Sequence, residues 1–372
     1  MSRQARLVLD PAFQVGSVDP RLFGSFVEHV GRCVWRSIET NRFGLSEFVS
    51  FTGKVGAEPM LAVNLGTRGT AEAVQLLEYA NHPGGTARSD LRGSHGDKDP
   101  YGIRLWCLGN EMDGPWQIGH KTADEYGRLA ATTAWAMRLT EPDLQLVACG
   151  SSSHAKKIGI SFDEWSVWYS SKTHDQPVRE WTTAPRLLED VYSVTDAVVV
   201  GSLLIGLLRH ADRIGVACLA QLVNAIAPIM TEPGGAAWRQ ATFYPFALTS
   251  RYGRGTVLVA EPESPAIRTA GHGDVPAVHA TAVMRDEDGT VTLFAVNRDR
   301  AAPVELLVEF RGMRPTTVLE HQVIADPDED ACNTAEQPGR VTPTDLSGTA
   351  IAEGSARVVL PPMSWNIVRF GP

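Results

Sequence analysis

Two glutamates stand in the same kind of neighbourhood. Glu111 lies in WCLGNEMDGPWQ and Glu164 in SFDEWSVWY, each at the end of an apolar run of strand length and each flanked by amide and aromatic side chains. A lone glutamate in such a place is usually a solvated cap or an ion-pair partner. Two of them shift the balance, because burying an acid is costly unless the group is paired or used. Glycosidic hydrolysis needs just such a couple: one carboxyl protonates the departing oxygen, and the other either attacks the anomeric carbon or activates a water. Asn110, directly before Glu111, is suited to bond a sugar 2-OH. Trp106, Trp116, Trp165, Trp168 and Tyr169 offer flat faces on which sugar rings stack.

Other chemistries find less support. Glu28 ends an apolar run and is either a pocket residue or an ion-pair partner of Arg32, while Gln221 either touches substrate or closes a buried backbone group. Asp163 precedes Glu164, so strand alternation turns it to the opposite side, in a structural role. The ten histidines show no HExxH spacing, and the five cysteines form no CxxC pair. Neither a metal nor another cofactor is expected. Gly150-Ser151-Ser152-Ser153 lacks the closing glycine of a nucleophile elbow, which argues against serine catalysis. A net charge of −9 without any basic block excludes nucleic acid as the natural partner. The opening MSRQARLVLD has no signal-length apolar stretch, and the most apolar window, 197–208, is too short to span a bilayer. With its cysteines reduced inside apolar runs, the protein reads as cytoplasmic, with no membrane partner.

The elements that must hold these residues follow from periodicity. Continuous apolar runs near 23–30, 59–65, 103–108, 144–149, 157–165 and 214–221 predict six buried strands. Helices are expected over 71–80, over 123–139 behind a Thr122/Glu125 capping box, and from a Thr195 cap to about residue 209. Residues 81–100, rich in Gly, Asp and His, read as loop. Strands alternating with helices imply an α/β fold with a parallel sheet covered on both faces. Beyond residue 253 the pattern changes to short alternating strands around tight turns, which predicts an antiparallel β-sandwich. The expected division is a catalytic α/β domain over 18–255, with 1–17 and 256–372 forming the sandwich.

FGSFVEHVGRC, NRFGLSEF, GAEPMLAVNLGT, WCLGNEMDGPWQIGHKTADEY, SFDEWSVWY and LAQLVNAIAPIMTEPGGAAWRQ closely resemble the family 51 α-L-arabinofuranosidases, retaining (β/α)8 glycosidases. The resemblance runs through nearly the whole chain and implies that the catalytic domain over 18–255 is a TIM-type (β/α)8 barrel. It implies that Glu111 is the general acid/base and Glu164 the nucleophile, with Glu28, Asn110 and Gln221 binding the sugar. It further implies a metal-independent double displacement releasing terminal L-arabinofuranose from arabinan or arabinoxylan oligosaccharides, and a homo-oligomer, often a hexamer. The alternatives are another retaining glycosidase of the same clan and a non-catalytic carbohydrate-binding remnant.

The chain also departs from that pattern. A closed barrel needs eight strands, and only six are visible. Glu111 and Glu164 are 53 residues apart, with room for one helix and one strand between them, and Ser151–His154 runs into Lys156–Ile158 without the dozen residues a parallel crossover requires. A second junction, at Cys33–Arg36, joins the first strand to a helix end with a strand-bearing stretch missing. Either the sequence omits segments of the natural protein or the gene product is internally deleted.

Overall fold

A computed structural model describes residues 3–28, 43–115, 117–149, 160–169 and 186–372, without the side chain of Asp163. Both short junctions therefore lie outside the described residues, as do Arg32 and Trp116. The chain forms two compact units: Met1–Thr40 with Lys157–Pro372, and Asn41–Lys156. The second unit is thus the stretch between the two junctions.

Each unit carries a three-stranded parallel sheet, and the six strands are the six that the apolar runs predict. In the first unit β1 (Gly24–Phe26) and β5 (Ile160–Trp165) flank β6 (Ile214–Ala220). In the second, β2 (Met60–Ala62) and β4 (Gln145–Ala148) flank β3 (Leu105–Leu108), every residue of which is buried. Among the described residues neither sheet closes. Ile160 and Phe162 are exposed. β1 and β2 are shorter than their apolar runs.

The second unit packs α1 (Leu45–Val55), α2 (Thr70–Asn81), α3 (Ala87–Ser94) and α4 (Ala123–Thr140) around its sheet, with Leu65, Leu77, Trp106, Leu108 and Met137 in its core. The capping box of α4 forms as expected, the Thr122 N–H donating to Glu125 Oε2 at 2.9 Å. Helix α3 corrects the reading of 81–100 as loop. It has no apolar stripe; Arg92 is fully buried instead, and its guanidinium donates to the carbonyls of Tyr79, Asp97 and Lys98. A helix held by a buried cation on backbone oxygens escapes any search for hydrophobic period, although Thr86, which caps Ser89 N–H, was a visible start signal.

In the first unit, α5 (Val194–Leu208) and α6 (Phe243–Tyr252) join the sheet to a β-sandwich of four- and seven-stranded sheets. The cap of α5 is Ser193 rather than Thr195: Ser193 N–H donates to Asp196 Oδ2 at 2.7 Å, while the Thr195 hydroxyl reaches Glu329 O. Gly201 lets the Trp365 indole lie against the helix, since a Cβ there would meet Trp365 Cδ1 at 2.0 Å. The sandwich buries the alternate residues of Val304–Phe310 and Ser355–Leu360, the period-two pattern that predicted it.

Candidate active site

Parallel strands deliver their active residues at their carboxyl ends, where side chains leave the sheet and backbone pairing stops. In both units the candidate residues lie at such ends. In the second unit β3 ends at Leu108, and the chain turns through Gly109 (φ +98°), Asn110 and Glu111 (φ +45°). A left-handed glutamate is uncommon and costs conformational energy, a feature that concentrates at functional positions. Its carboxylate accepts from Gln117 Nε2 at 2.7 Å, and the Glu111 carbonyl accepts from Gly114 N at 2.9 Å. Gln117, part of the quoted motif, was not singled out in the sequence; no spacing rule marks an amide six residues along. Asn110 is half-buried beside it.

In the first unit three strand ends converge. Glu164 stands on β5, half-buried, next to the central strand β6. Glu28 follows β1 and Gln221 follows β6. These last two meet in a closed pair: Gln221 Nε2 donates to Glu28 Oε1 at 2.6 Å, and Glu28 N–H donates to Gln221 Oε1 at 3.0 Å. Gln221 is fully buried. The alternative ion pair of Glu28 with Arg32 lies outside the described residues.

The aromatic expectations need correction. Trp106 is completely buried and donates through Nε1 to Ile103 O at 2.8 Å, so it belongs to the core. Trp165 is also core, its ring 6.3 Å from that of Phe246. Tyr169 donates its hydroxyl to Asp196, and burial together with that carboxylate holds the phenol well above its ordinary titration range. Trp168, 63% exposed, keeps a free face. Hydrophobic type alone does not tell a stacking platform from a core filler. Among the described residues no group of three or more His, Cys, Asp or Glu is placed to hold a metal ion, and no helix is long and apolar enough to cross a membrane.

Comparison with known proteins gives a consistent pattern. Residues 23–186 match the model of the "Alpha-L-arabinofuranosidase 1 domain", and residues 163–364 that of the "Alpha-L-arabinofuranosidase C-terminal domain". The intracellular exo-α-(1→5)-L-arabinofuranosidase of Streptomyces lividans is 48% identical over 99% of this chain and 75% of its own length. A protein of the same description from Halalkalibacterium halodurans is 38% identical, with both chains wholly covered. That alignment runs over 500 positions against 372 residues here, so at least 128 positions face gaps in this chain. Among solved structures, a family 51 α-L-arabinofuranosidase from Bifidobacterium longum superposes with a TM-score of 0.91 at 34% identity, covering all of both chains. The arabinofuranosidase of Thermotoga maritima, 22% identical, shares the fold with a TM-score of 0.83.

Proposed function

The chain belongs to the family 51 α-L-arabinofuranosidases, and from that premise we propose how it hydrolyses terminal α-L-arabinofuranosyl residues. Glu164 attacks the anomeric carbon while Glu111 protonates the departing oxygen. Glu111 then draws a proton from the incoming water as the arabinosyl-enzyme is hydrolysed, so configuration is retained. Glu28, Asn110 and Gln221 bind the sugar hydroxyls. Residues 18–255 carry this chemistry, and the sandwich of 1–17 with 256–372 supports it. The observation that carries the reading is the convergence of Glu164, Glu28 and Gln221 on three adjacent parallel strand ends. The substrate is an arabinan or arabinoxylan oligosaccharide with a terminal arabinofuranose, and the intracellular naming of the relatives supports a cytoplasmic enzyme.

A fluorinated arabinofuranosyl inactivator tests the nucleophile. Peptide mapping is expected to find the label on Glu164, and label on any other residue overturns the assignment. A retaining pair also requires the carboxyl groups of Glu111 and Glu164 to lie about 5–5.5 Å apart in the assembled site. A separation of about 6.5–9 Å in a crystal structure would instead suit inversion, and one well beyond about 9 Å would count against the pair.

Two observations favour a second reading. Two sheets that stay open among the described residues and at least 128 unmatched alignment positions suit a carbohydrate-binding remnant without turnover. Binding of arabino-oligosaccharides with no release of arabinose at high enzyme concentration would select it. Hydrolysis of 4-nitrophenyl α-L-arabinofuranoside in preference to the xyloside and glucoside selects the first.

A further inference from the structure

The turn that bears Glu111 is held from beneath by side chains outside the five site residues. Tyr126, in the first turns of α4, points its hydroxyl at the ends of two neighbouring strands. It donates to Leu108 O at 2.8 Å and accepts from Cys149 N–H at 2.6 Å. Leu108 is the last residue of β3 and Cys149 the first after β4. One phenol therefore ties both strand ends together directly below the turn. The next carbonyl along, that of Gly109, accepts from two thiols: Cys107 Sγ at 3.0 Å and Cys149 Sγ at 2.8 Å. Above it, Met112 packs so closely that a Cβ on Gly109 would meet its sulfur at 2.6 Å.

Beyond Glu111 the residue just before the helix cap is bonded back to the turn. Lys121 N–H donates to Met112 O at 2.7 Å, immediately before the Thr122 cap of α4. Tyr126 and Lys121 thus tie the chain on both sides of Glu111. A left-handed glutamate persists only where its surroundings over-determine it. Burial, reinforced by the nearby thiols, raises the Tyr126 phenol above its ordinary range, so it remains a neutral hydroxyl able to donate and accept at working pH.

We propose that Tyr126 is a positioning residue for Glu111, acting on the Gly109–Glu111 turn through the strand ends and Cys149. The proposal rests on the reading of Glu111 as the acid/base. A general acid matters in proportion to how badly the leaving group needs its proton. A misplaced acid therefore damages turnover of poor leaving groups and spares good ones, whereas a general loss of fold or pocket damages both alike.

The test compares kcat/KM for arabinobiose and for 2,4-dinitrophenyl α-L-arabinofuranoside in the parent, Tyr126→Phe, Glu111→Ala and the double variant. Tyr126→Phe is expected to lose about 10- to 100-fold on the disaccharide, part of what general acid catalysis supplies, and under about 3-fold on the activated substrate. Combined with Glu111→Ala it should add no further loss on the disaccharide. Amide exchange at residues 109–111 should quicken in Tyr126→Phe while β3 stays protected, a readout that needs no turnover. Equal losses on both substrates, no loss on either, or unchanged exchange at the turn overturns the proposal. If Glu111→Ala itself fails to discriminate between leaving groups, the acid/base reading falls and the proposal falls with it. Should Tyr126→Phe not fold, Cys149→Ala carries the test, with a smaller loss of the same selectivity expected and Cys149→Ser, which keeps a donor, restoring the parent pattern.

Discussion

At the scale of single residues, the Glu28–Gln221 pair is the most informative contact of the first unit. A buried amide that both donates to a carboxylate and accepts from the same residue's backbone fixes two strand ends in register. It also presents the carboxylate in one orientation. Gln221→Leu removes both bonds and leaves polar groups poorly satisfied, a change that costs about 1–3 kcal/mol. The expected outcome is a lower urea midpoint, together with weaker inhibition by free arabinose if the pair lines the pocket. Unchanged arabinose inhibition in a destabilised variant would reduce Gln221 to its bland alternative, a plug for buried backbone. The sequence named both residues, yet it could not show that they touch. They are 193 positions apart, and only the pairing of β1 with β6 brings them together.

At the scale of elements, α5 decides how the first unit is packed. Val194, Ala197, Val198, Leu204, Ile205 and Leu208 bury it between sheet and sandwich, and Gly201 admits Trp365. Gly201→Ala forces a methyl into that indole, and overpacking of this kind costs about 1–3 kcal/mol. Thermal melting should show the loss, with Gly206→Ala, where a Cβ meets nothing, as a neutral or stabilising control. The same helix carries a proton-linked contact. Ser202 Oγ lies 2.9 Å from His279 Nδ1 on strand Val278–Met284, and Arg298 donates to Ser202 at 2.8 Å. Burial, then the charges of Arg298 and Arg209, push the imidazole down to about 4 from its ordinary 6.5. Between those values the unfolded chain binds a proton that the folded one refuses. This contribution is therefore full above about pH 6.5 and lost as pH falls toward 4. His279→Gln should flatten the dependence of the urea midpoint on pH across that window; an unaltered slope would show that His279 does not titrate there.

At the scale of the whole molecule, the question is assembly. The family resemblance implies a hexamer, and six chains of 40.3 kDa would scatter light as a particle of about 240 kDa. A monomer near 40 kDa would refute this. Among the described residues the two parallel sheets stay open, and natural proteins normally pair or cover such strand edges. Intact-mass measurement of the natural product decides between the two origins of the short junctions: 40.3 kDa marks a deleted gene product, and a mass larger by at least a hundred residues marks omitted segments.

The sequence by itself determined the six parallel strands, the capped helix α4, the change to period-two strands after residue 253, and the two glutamate motifs. Each is written in local patterns whose physics acts over a few residues: apolar runs, capping boxes, alternation. What only the tertiary structure decided is non-local. Trp106 and Trp165 became core rather than sugar platforms because their neighbours bury them, and Arg92 became the pin of α3 because three carbonyls surround it. The grip of Tyr126 on the Glu111 turn depends on strand ends 41 residues apart lying side by side. The same holds for the fate of the sheets. A strand's apolar run announces that it will be buried, but which strand lies beside it is settled by hydrogen bonds to distant chain, and those pairings left two parallel sheets of three among the described residues.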